Sequence, residues 1–131
     1  IGPSAISRYR QGYAQNIVAT SAYEKAVDSG QLAVARGIEL SVDDLARGWI
    51  IERLMCHFAF SAIELVERFG DVGQRLLALA SRLAISGGDL LLRLDGENFV
   101  VPKDSRPLVR TVAAKFDKYL EAGTARHSVA V

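Results

Sequence analysis

Apolar residues recur at Val42, Leu45, Trp49, Ile50, Leu54 and Phe58, with Ile51 and Met55 widening the stripe. Steps of three and four predict an amphipathic helix, and so broad a stripe predicts one that is largely buried. Ser41 and Asp44 supply an S-x-x-D start signal for it. A shorter helix is expected through "SAIELVERF", ending at Gly70. A further stripe, Val72, Leu76, Leu79, Ala80 and Leu83, predicts a helix that stops at "SGG". Then the period changes. "LLLRLDGENFVV" places two apolar runs around Asp95-Gly96, a strong hairpin signal. Leu108, Val109, Val112, Ala113, Phe116 and Leu120 predict a long last helix with Pro107 in its first turn.

Upstream the pattern is weaker. Ser21 and Glu24 form an S-x-x-E capping box, and the helix it opens should stop at Gly30. "QLAVARGIEL" is short, partly β-branched and broken by Gly37, so an extended stretch or a turn is expected. Residues 1–20 carry no clear period, and the polar pentapeptide "GYAQN" fits neither helix nor strand. The fold class expected is mainly α: a winged-helix-like helical domain with one β-hairpin near the C-terminus. The expected divisions are an irregular junction segment over 1–20, the helical domain over 21–123 and a tail over 124–131.

Composition fits a folded protein. Half of the 131 residues are hydrophobic, and about a quarter (24%) are charged. The net charge of +1 gives no bulk electrostatic case for a nucleic acid or a membrane surface. The helix before the hairpin offers only Gln74, Arg75 and Arg82, a thin footprint for DNA. The single cysteine, Cys56, cannot close an internal disulfide or hold a metal by itself, which suits a cytoplasmic protein. The opening "IGPSAIS", with no methionine and no helix start, reads as the C-terminal part of a longer chain.

Candidate chemistry is sparse. Cys56 and His57 are adjacent on a predicted helix and do not face each other, so a small core residue and a surface or helix-end residue are expected. "GDVGQR" lacks the strand and the lysine of a phosphate loop. Arg8 and Arg36 lie in non-helical segments near the polar pentapeptide, and guanidinium groups suit carboxylates. Arg106 and Arg110 share the start of the last helix. No catalytic set and no metal-ligand set emerges.

The stretches "SAIS", "GYAQN", "LAVARGIELS", "IIERLMCHF" and "RPLVRTVAAKFDKYL", in that order, resemble the C-terminal domain of oxygen-independent coproporphyrinogen III oxidase, of the radical SAM family. The resemblance implies a parent that converts two propionates of coproporphyrinogen III to vinyl groups, giving protoporphyrinogen IX. It implies S-adenosylmethionine, a [4Fe-4S] cluster held in an N-terminal barrel, and an electron acceptor whose nature stays open. It makes Ile6 a contact of the adenosyl group, and residues 1–20 the end of the barrel and its junction. Arg8, Tyr13, Gln15, Asn16 and Arg36 are then the candidates for substrate carboxylates, Tyr13, Gln15 and Asn16 alternatively locking the junction. Two other readings stand beside this one: a domain of a related radical SAM haem chaperone, and a winged-helix module for DNA or protein. The sequence departs from the family pattern at Pro102 and at Ser105, where a serine is expected to cap the last helix.

Overall fold

The computed structural model describes residues 1–87 and 90–120. Among them the order is β1 (Ile6–Arg8), β2 (Gly12–Asn16), α1 (Thr20–Asp28), β3 (Val34–Glu39), α2 (Val42–His57), β4 (Ala59–Ser61), α3 (Ala62–Ser86), β5 (Arg93–Asp95) and β6 (Asn98–Val100). A 3-10 turn (Lys103–Leu108) and α4 (Val109–Ala114) complete it. The protein is mainly helical with two small antiparallel sheets. It divides into two units, Ile1–Ser41 and Val42–Val131. That division falls at Ser41 rather than at residue 20, so α1 and β3 go with the N-terminal strands. The tail expected over 124–131, with His127, lies outside the described residues.

In the first unit β1, β2 and β3 form a sheet in that order. The irregular segment expected over residues 1–20 is therefore corrected: "GYAQN" is its central strand. The pentapeptide hides its character because mixed polar and apolar side chains share each face, which erases the alternation that marks a half-buried strand. The β1–β2 turn is a two-residue loop closed by reciprocal backbone bonds between Tyr9 and Gly12, at 2.8 and 3.3 Å. Arg10-Gln11 is not a turn dipeptide that sequence patterns flag. Gly12 is required: a Cβ there would sit 1.9 Å from the Ile38 carbonyl oxygen. Helix α1 begins at Thr20 after Ala19, with no side-chain cap, so Ser21 does not play the capping role its spacing suggests.

The second unit has a conventional core. Ala46, Ile50 and Leu54 of α2 pack with Leu65, Leu76, Ala80 and Ala84 of α3, with Phe60, Leu92, Phe99 and Val101, and with Val109, Val112, Ala113 and Phe116. Phe60 is the hub, stacked on Phe99 (5.2 Å between ring centres) and edge-on to Trp49 and Phe116. The stripe of α2 is narrower than its sequence promises, since Val42 and Met55 are exposed. Cys56, expected as a small core residue, is also exposed, and His57 closes the helix at the surface.

The two helices expected on either side of Gly70 form one run, α3, broken there by φ +53° and ψ −127°. An L side chain resists that conformation, which is why glycine marks the boundary. Ser61 caps the first half, accepting a hydrogen bond from the Glu64 amide at 3.2 Å. The Asp95-Gly96 hairpin forms as expected, but β4 joins it, giving the order β4-β6-β5. The long last helix is corrected to a 3-10 turn followed by a short α4. Ser105 caps nothing: it lies within the 3-10 turn and its hydroxyl donates to the Leu90 carbonyl.

Candidate functional site

Strand register decides which side chains meet. Ile6 pairs with Gln15 and Gln15 with Arg36; Arg8 pairs with Tyr13 and Tyr13 with Ile38. Side chains two apart along a strand share a face, so both rows stand on the same side of the sheet. Five of the expected positions, Ile6, Arg8, Tyr13, Gln15 and Arg36, are thereby collected on one face. The row between them, Ser7, Ala14 and Gly37, belongs to the other face. A cavity of about 420 Å³ lies against this sheet, lined by Ile6, Tyr13, Ala14, Gln15, Arg36, Gly37 and Ile38. Ile6 and Ile38 are more than half exposed, at 68% and 55%.

Asn16 is separated from this group. A register irregularity between Gln15 and Asn16 interrupts the ladder to β3. The Asn16 amide Nδ2 donates to the Gly2 carbonyl at 2.9 Å, so this side chain ties down the N-terminal turn. Arg8 shares the face but does not line the cavity. Ile38 was not singled out from the sequence; the alternation Val34, Arg36, Ile38 is the signal that points to it.

Arg36 is held by one neutral partner. Its Nε donates to the Gln15 Oε1 at 2.7 Å, and the Gln15 Nε2 donates to the Ser4 carbonyl at 3.4 Å. The cavity thus combines two aliphatic side chains, a tyrosine ring and a guanidinium. That set can bind an apolar body bearing a carboxylate. It holds no acid–base pair and no nucleophile. Among the described residues there is no group of three or more His, Cys, Asp or Glu that could hold a metal ion, so this part of the chain does not fit a cluster. No described helix is long and apolar enough to cross a membrane.

Several charges of the helical unit are used internally. Asp43 pairs with Arg47 at 2.8 Å and with Lys118 at 3.2 Å, and Lys118 reaches Asp44 at 2.7 Å. Burial pushes the Asp43 carboxyl up, but hydrogen bonds from Arg47 and Lys118 together outweigh it and hold it below its ordinary value of 3.8. The hydrogen bond to Asp44 is the largest influence on Lys118 and, with those to Asp43 and Tyr119, raises its ammonium above the ordinary lysine value. Arg106 lies over the Phe58 ring at 4.6 Å, which gives it a packing role.

No family model matches the chain. It is 44% identical over 130 residues to an oxygen-independent coproporphyrinogen III oxidase of Bradyrhizobium diazoefficiens, covering 99% of this chain and 29% of that protein. The proteins of the same name from Cereibacter sphaeroides and Pseudomonas aeruginosa are 37% and 35% identical, covering 94% and 92% of this chain. Among solved structures it is similar to coproporphyrinogen III oxidase from Escherichia coli, described as a radical SAM enzyme, with a TM-score of 0.79 and 31% identity. That match covers 91% of this chain and 28% of the other. The chain therefore spans less than a third of the length of the relatives it matches.

Proposed function

We propose that this chain, which is homologous to the C-terminal domain of oxygen-independent coproporphyrinogen III oxidases, covers the active site of its parent protein and helps bind its substrate. The parent would convert two propionates of coproporphyrinogen III to vinyl groups, with S-adenosylmethionine and a [4Fe-4S] cluster held by an N-terminal barrel, in the cytoplasm. The observation that carries this reading is the convergence of Ile6, Tyr13, Gln15 and Arg36 on one cavity. Ile6 offers an apolar surface that suits an adenosyl group, and Arg36 offers a cation for a propionate. Covering is physically motivated, because a carbon radical must be kept from water and from stray hydrogen donors. In this reading residues 1–20 are the edge of the barrel, and the helices of the second unit with the β4-β6-β5 sheet form a winged-helix-like body.

The test uses the full-length parent, reconstituted anaerobically with iron and sulfide. S-adenosylmethionine, a reductant, an electron acceptor and coproporphyrinogen III are added, and protoporphyrin fluorescence is read after oxidation. Product formation is expected. Cleavage of S-adenosylmethionine without product, together with tight haem binding, would favour a haem-chaperone relative instead. In the active parent, Arg36→Ala should raise the substrate KM or lower kcat/KM by about tenfold, the worth of one hydrogen bond to a charged group. Unchanged values would remove Arg36 from substrate binding.

A further inference from the structure

Arg36 is bound differently from four arginines of the helical unit. Arg47, Arg53, Arg68 and Arg93 each pair with a carboxylate of the chain. Among the described residues Arg36 has no such partner, and its side-chain hydrogen bond goes to the neutral amide of Gln15. That bond uses Nε, on the inner edge of the guanidinium, and leaves both terminal nitrogens, Nη1 and Nη2, to be used elsewhere. Gln15 is itself constrained. Its residue sits on the central strand, paired on one side with Ile6 and on the other with Arg36. With its nitrogen toward the Ser4 carbonyl, its oxygen must face Arg36.

We infer that Gln15 is a positioning residue, which holds Arg36 in the cavity with its full charge and its outer nitrogens turned to a carboxylate of an amphipathic polycarboxylate ligand. This rests on the reading that the sheet face takes a carboxylate-bearing tetrapyrrole. Position 15 then has to be neutral. A glutamate there would keep the shape and strengthen the bond to Arg36, giving up only the long, exposed contact to the Ser4 carbonyl, but it would spend the positive charge inside the protein. A ligand carboxylate would meet a neutralised pair and a second anion. A purely structural Gln15 predicts otherwise: the folded glutamate variant would bind the ligand as the wild type does.

The experiment measures binding of coproporphyrin III, and of its tetramethyl ester, to the full-length parent by fluorescence, beside thermal melting. Gln15→Glu should weaken binding of the acid about tenfold or more while Tm stays level or rises. The ester, which has no carboxylates, should bind wild type and variant alike. Gln15→Met keeps the size and loses the acceptor; it should weaken acid binding at wild-type Tm, and it decides the matter should the glutamate variant misfold. Unchanged acid affinity in the folded variants, or a wild type that does not prefer acid to ester, overturns the inference. Turnover of coproporphyrinogen III by the wild type reads separately. Turnover with Gln15-independent affinity retires the positioning role alone. Acid-selective, Gln15-dependent binding without turnover retires the enzymatic reading alone.

Discussion

Single side chains in this protein act through their neighbours' charge. Asp43 is the clearest case, because two cations converge on a carboxylate that is only partly exposed. Its pKa is lowered in the folded state, so its contribution to stability is present above the ordinary value of 3.8 and is lost as pH falls through the lowered value. Asp43→Asn should therefore flatten the acid limb of a Tm-against-pH curve below about pH 4. An acid limb as steep as that of the wild type would place the sensitivity in other groups. Lys118 has the reverse sign: its raised pKa keeps its contribution intact below the ordinary value of 10.5 and loses it only in stronger alkali. Tyr119 adds a hydroxyl bond to Asp44 at 2.8 Å, so the segment after α4 is fastened to the start of α2 by side chains rather than by a continuing helix.

Elements were legible where one period ran long. The stripes of α2 and of both halves of α3 read directly as helices, and the hairpin was announced by Asp95-Gly96. The sheet that builds the cavity was not legible, because strands of three to six residues without a buried apolar face leave no apolar alternation to detect. Four residues of the cavity, Ile6, Tyr13, Gln15 and Arg36, were nonetheless named from the sequence; their shared face came only from the register. The last helix was overread because its apolar spacing continues past the point where the backbone leaves the α conformation. Close approach within α3 gives a test at this scale. A Cβ on buried Gly73 would lie 2.5 Å from the Leu65 carbonyl oxygen, across the break at Gly70. Gly73→Ala should cost roughly 1–3 kcal/mol in urea unfolding, as overpacking does. Gly48 of α2 has nothing within 4 Å of that position, so Gly48→Ala should instead gain about 0.5–1 kcal/mol. Equal effects at the two sites would contradict the packing described.

Across the whole molecule burial is uneven. The second unit owns almost the entire core, whereas in the first only Gly12 and Ala33 are buried. Amide hydrogen exchange on this chain should accordingly show its strongest protection around Ile50, Leu54, Leu65, Leu76 and Phe116, with the strands of the first unit exchanging far sooner. Comparable protection in β2 would show that the sheet is stabilised by something other than its own contacts. One connection bears on how the second unit comes into being. Strand β4 precedes its partner β6 by the whole of α3 and the hairpin's first strand, yet Phe60 lies opposite Phe99. During synthesis the chain emerges in order, so Phe60 leaves the ribosome long before the residues that cover it. Local hairpin closure takes microseconds, while the distant strand must wait for a loop of this length to be spanned. The aromatic centre is therefore the last part of the unit to be sealed, and a nascent chain stopped short of Asn98 would still carry it open to a chaperone's grip.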